Sequence, residues 1–126
     1  MFVDSYLMHW RVGAMNLRCA EERLNKVIYL LAVRPGDVRK RLIRAFTTEL
    51  CHLPEEVFPE DLREAWRTII WMLTKHGHQE LANGKIIDSC TCTMERIRNS
   101  TGSKIAEKIY DIWYEVKKRI EYGEPK

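Results

Sequence analysis

Apolar residues recur every three or four positions along almost the whole chain. At about 100° per residue that spacing lays them along one side of a helix. Nowhere do Val, Ile and Thr alternate cleanly with polar residues over the length of a strand. The pattern therefore predicts helices joined by short polar connections.

The best-defined stretch is Pro59 to Gly77, PEDLREAWRTIIWMLTKHG. Pro59 suits the first helical turn, where a missing N–H costs nothing. Glu60 and Asp61 lie at the positive end of the helix dipole, Lys75 and His76 at the negative end. Gly77 can take the left-handed conformation just past a helix end. Leu62, Ala65, Trp66, Ile69, Ile70, Met72 and Leu73 share one face, wider than the stripe of an ordinary surface helix. Such a helix is expected to pack against two or three neighbours and to organise the rest. Trp71 points away from that face, among Glu64, Arg67 and Lys75. A neighbouring helix or the N-terminal segment laid over it would account for it. The alternative is an aromatic anchor for a partner or a second copy, with Arg67 beside it.

The other elements follow from the same pattern. Leu7, Trp10, Ala14, Leu17, Leu24, Ile28 and Leu31 would suit one helix from about Asp4 to Val33. Gly13 and a possible N-cap at Asn16 instead predict a break, with the main helix starting near Leu17 and residues 1–15 as an N-terminal extension. Pro35 disfavours helical geometry at Arg34, and Asp37 is an N-cap for a second helix over Val38–Leu53. Its core face is Val38, Leu42, Ala45, Phe46, Leu50 and Leu53. Val57 and Phe58 are expected to tuck under the bundle from the following loop. His78–Gly84 reads as a polar connection with one helical turn. Lys85–Arg98 reads as a fourth helix held by tertiary packing, and Asn99–Gly102 as a turn. Ser103 then caps a last helix carrying Ile105, Ile109, Ile112, Trp113, Val116 and Ile120. Glu115 and Arg119 form an i,i+4 pair on its outside, and residues 122–126 fray. The fold class is all-α, a compact antiparallel bundle of four to five helices in a single domain.

Composition adds little to this. A chain of 126 residues suits one domain. The net charge of +3 is too small by itself to imply nucleic acid. No apolar run is long enough to span a bilayer. The opening MFVDSYLMHW lacks the basic and apolar regions of a secretory signal. A cytoplasmic chain with reduced cysteines is expected.

Chemistry-bearing residues are few. Arg34, Arg39, Lys40, Arg41 and Arg44 form a basic run opposed by Asp37. A solvated helix face accounts for most such runs; phosphate or an acidic protein partner is the functional alternative. Residues 28–47 resemble a helix-turn-helix: Ala32, Gly36 and Leu42 stand where that motif packs tightly, turns, and locks its second helix. The resemblance implies a recognition helix opening with the basic residues. Pro35 and Asp37 depart from the motif. Cys51-His52, His76-Gly77-His78 and Cys90-Thr91-Cys92 lack the ligand spacing of a zinc finger or ribbon. No metal is expected; Cys90 should be buried and Cys92 half-exposed. No Ser, Cys or Thr has a His at a recognisable spacing, and no glycine-rich phosphate loop or nucleophile elbow occurs. Thr101-Gly102-Ser103-Lys104 reads as a capped turn.

No catalytic, cofactor or metal site is expected. The function this implies is a small non-enzymatic helical interaction module or accessory subunit. It would self-associate as a homodimer or bind another protein through Trp71 and Arg67, its basic run meeting the acidic Glu55, Glu56, Glu60 and Asp61. The alternative is a nucleic-acid-binding regulator using the basic helix 38–53.

Overall fold

The computed structural model describes the backbone of residues 2–123 and the side chains of residues 17–123. Five helices, α1 (Phe2–Val33), α2 (Val38–Thr48), α3 (Glu60–Thr74), α4 (Ser89–Arg96) and α5 (Asn99–Tyr122), pack together. A hairpin of β1 (Gln79–Glu80) and β2 (Ile86–Ile87) joins α3 to α4. The all-α class predicted from the periodicity is the one the chain adopts.

α1 runs through Gly13 and Asn16, where the sequence predicts a break. A single glycine costs a helix interior only about 1 kcal/mol. The helix stops before Pro35; Gly36 then turns the chain with φ +97°. Asp37 caps α2 as expected, its carboxylate accepting from the Arg39 and Lys40 backbone N–H groups at 2.9 and 3.4 Å. α2 ends at Thr48, five residues early. The Thr47 and Thr48 hydroxyls donate to the Ile43 and Arg44 carbonyls, a competition that weakens a helix end. A 3₁₀ turn at Leu50–His52 follows, and Leu50 and Leu53 are buried there.

Pro59 occupies the N-cap of α3 (ψ 152°), one place before the first turn. Val57 and Phe58 are buried as predicted, Phe58 tilted against Trp66 with ring centroids 4.7 Å apart. The buried face of α3 is narrower than its pattern implies: Trp66, Ile69 and Leu73 are covered, Leu62, Ile70 and Met72 only partly, and Ala65 is exposed. α3 packs on α4, α5 and the 3₁₀ turn at Glu55–Val57, and so lies at the edge. The middle belongs to α2, which touches α1, α4 and α5, and to α5, which touches α1, α2 and α3.

The link after α3 is a hairpin, not a helical turn, with Gln79 opposite Ile87 and Glu80 opposite Ile86. Its tip closes through Leu81 N–H to the Lys85 carbonyl (2.7 Å), with Gly84 at φ +84°. α4 is therefore short, starting after Asp88, which accepts from the Thr91 backbone N–H and hydroxyl, both at 2.9 Å. α5 begins at Asn99, a turn earlier than a Ser103 cap would allow. Gly102 is buried inside this first turn. A Cβ there would lie 3.0 Å from Val38 Cγ1 and 3.1 Å from Arg39 Cγ.

Polar contacts fix the directions. Trp113 Nε1–H donates to Asn25 Oδ1 at 2.8 Å and Lys117 pairs with Glu21 at 3.5 Å, so α1 and α5 run antiparallel. Arg23–Glu49 at 3.1 Å and Arg41 to the Leu31 carbonyl do the same for α1 and α2. One core joins all five helices, with Leu24, Leu42, Ile69, Met94 and Ile109 among its fully covered members. Gly123 ends α5; residues 124–126 of the expected frayed tail lie outside the described residues.

Candidate interaction surface on α3

The core face of α3 turns inward, leaving Glu60, Glu64, Arg67, Trp71 and Lys75 on the outside, all exposed. Trp71 is 62% exposed. Among the described residues no helix and no segment lies over it, which corrects the expectation of a covering neighbour. The Lys75 ammonium stands 5.6 Å from the centroid of its ring. One turn earlier, Arg67 Nη1 donates to both carboxylate oxygens of Glu55, at 3.0 and 3.2 Å. Glu55 thus anchors the guanidinium from the 3₁₀ turn, while 59% of the Arg67 side chain stays exposed. Trp71 and Arg67 stand side by side because residues four apart share a helix face.

Two grooves flank this face. Phe46, Leu53, Trp66 and Ile70 line one, with Trp71 and Arg67 on its rim. The other runs between α3 and α5, with Ala65, Ile69 and Ile112 in its floor and Asp61, Glu64, Asp111 and Glu115 around it. Arg119 ties two of these carboxylates together, donating to both oxygens of Asp61 (2.6 and 2.8 Å) and to Glu115 (3.3 Å). That bidentate bond holds the Asp61 carboxyl below the usual carboxylate range. Lys118 and then Arg119 do the same for Glu115. The predicted Glu115–Arg119 pair is present, and Asp61, read from sequence as a dipole complement and as part of an acidic partner surface, is its third member.

The basic run is divided by the fold. Arg39 Nη1 donates to the Ile97 carbonyl at the end of α4 (2.9 Å), and its Nη2 to Asp37 (3.1 Å). The hydrogen bond from Arg39 depresses the Asp37 carboxyl. Arg41 is turned inward to the Leu31 carbonyl of α1, and its buried Nε has no partner among the described residues. Arg34, Lys40 and Arg44 remain exposed. The first turn of α2, which a recognition helix would present to a groove in DNA, is packed beneath Gly102 of α5.

The cysteines and histidines do not converge. Among the described residues no three His, Cys, Asp or Glu side chains could hold one metal ion. Cys92 is buried, not half-exposed, with its thiol 3.6 Å from the Ile87 carbonyl. Cys90 is buried as expected; that burial, aided by the Asp88 charge, pushes its thiol up to about 12. Such a thiol is a poor nucleophile. Thr93, unremarked in the sequence, is fully buried and satisfied: its hydroxyl donates to the Ser89 carbonyl (2.7 Å) and accepts from the His76 N–H (3.1 Å).

Sequence reasoning also missed an aromatic row on α5. Tyr110 and Tyr114 are exposed and stacked 6.3 Å apart, and Trp113 is half-buried beside Tyr110. Lys117 and Lys118 lie over Trp113 and Tyr114. Their ammonium groups are also paired, with Glu21 and Glu115. The i,i+4 spacing of the two tyrosines was the available signal. No protein-family model matches this chain, and no curated protein and no solved structure matches it either.

Proposed function

We propose that this chain is a small, non-enzymatic helical interaction module or accessory subunit that self-associates, and that it works in the cytoplasm. Trp71 carries the proposal. An indole this exposed forgoes on the order of 3 kcal/mol of apolar burial, a debt that a partner surface can cancel. Tryptophan and arginine are also the residues that most often dominate an interface. Arg67, already oriented by Glu55, loses less freedom on binding than a free side chain would. Among the described residues no helix is long and apolar enough to cross a membrane.

The test is sedimentation over a range of protein concentration. Wild type should form a dimer, and Trp71→Ala should raise its dissociation constant about thirtyfold or more. At concentrations where both proteins are monomeric, thermal stability should stay almost unchanged, because the side chain is exposed. A wild type that stays monomeric throughout, or a Trp71→Ala protein that associates equally well, removes the proposal. The second reading, a nucleic-acid-binding regulator, is left with the exposed Arg34, Lys40 and Arg44. Salt-dependent binding to mixed-sequence DNA or RNA, lost in a Lys40→Ala, Arg44→Ala protein, would favour it instead.

A further inference from the structure

The outward face of α3 carries Glu60, Glu64, Arg67, Trp71 and Lys75 in chain order, spaced by four, three, four and four residues. These positions form a single seam along the helix. The seam is polar in its charges: carboxylates in the first half, cations in the second. Among the described residues neither Glu64 nor Lys75 has an ion-pair partner, so each is available to a second molecule.

We infer that α3 pairs antiparallel with α3 of a second copy, about a two-fold axis passing between Arg67 and Trp71. This rests on the self-association proposed above and specifies its geometry. Reading the seam forwards on one copy and backwards on the other sets Glu64 against Lys75 and Arg67 against Trp71. The two-fold repeats both contacts. The guanidinium, anchored by Glu55, stacks on the ring face that Lys75 leaves open. A parallel pairing would instead set Glu64 against Glu64 and Arg67 against Arg67, and like charges repel. The seam is thus complementary to itself in one orientation only.

Charge exchange on the full chain tests this. Glu64→Lys alone should weaken dimerisation about tenfold, since both symmetry-related contacts become repulsive. Lys75→Glu alone should do the same. The double variant Glu64→Lys, Lys75→Glu should recover the homodimer, and an equimolar mixture of the two single variants should form a one-to-one dimer. Sedimentation equilibrium reads all four, with circular dichroism melting to confirm folding. Single variants that dimerise as well as wild type, or a double variant that fails to recover, overturn the antiparallel pairing. In that event loss of association in Trp71→Ala still upholds self-association, with the indole seated elsewhere. A monomeric wild type overturns both.

Discussion

Gly102 lacks the one carbon that would hold α2 and α5 apart. It sits in the first turn of α5 with ordinary helical φ, so a side chain there meets no backbone strain. Helix propensity favours alanine over glycine by up to about 1 kcal/mol. Against that, an added Cβ would lie 3.0 Å from Val38 Cγ1 and 3.1 Å from Arg39 Cγ. Val38 is buried and β-branched, with one preferred rotamer. Arg39 is tied at its far end to Asp37 and the Ile97 carbonyl, so its stem cannot swing freely. Overpacking of this kind costs about 1–3 kcal/mol. Gly102→Ala should therefore destabilise the protein by roughly 1 kcal/mol net, read as a lower urea midpoint with an unchanged slope. An alanine variant as stable as wild type would show that α2 yields at no cost.

Between elements, Arg119 clasps Asp61 and Glu115 and so ties the start of α3 to the end of α5. Both carboxyls are held below their ordinary values of 3.8 and 4.5. A carboxyl depressed by folding binds fewer protons folded than unfolded. Its contribution to stability is complete above the ordinary value and is lost as pH falls through the lower, folded one. Arg119→Gln should lower stability near neutrality and lose less on acidification to about pH 3 than wild type does. Urea titrations at the two pH values measure this; an equal acid loss in both proteins would discard the clasp. Most of the elements were legible from local signals. Apolar spacing identified the cores of α3 and α5 and, in α1, Leu17 and Leu24, while Ala20 and Val27 were missed and the side chains of Leu7, Trp10 and Ala14 lie outside the described residues; Asp37 announced the start of α2. Apart from the break signalled by Gly13 and Asn16, which α1 does not make, what failed was non-local or short. Gly102 looks like a helix breaker until α2 lies against it. Arg39 and Arg41 look free until distant carbonyls at Ile97 and Leu31 claim them. Two-residue strands leave no alternation to see, although Asn83-Gly84 is a hairpin signal. The candidate site was half legible: a helical wheel shows that Trp71 points outward, but not whether anything stands in front of it.

At the scale of the molecule, the cysteines report how tightly the helices close over one core. Cys51 is exposed on the 3₁₀ turn after α2, Cys19 is half-buried on α1, and Cys90 and Cys92 are buried in α4. Alkylation needs a thiolate and a path for the reagent. Cys51 needs no unfolding to react. Cys90 lacks both requirements in the folded chain: it is fully covered, and burial with the nearby Asp88 charge raises its thiol to about 12. α4 packs against both α2 and α3, so exposing Cys90 means separating the helices that define the fold. Its modification should therefore follow global opening, not local fraying. With iodoacetamide and mass spectrometry near neutral pH, Cys51 should label first and Cys19 more slowly. Cys90 and Cys92 should label last and together, accelerating with urea in step with the unfolding transition. If Cys90 instead labels early and independently of urea, α4 opens by itself and the core does not close as one unit.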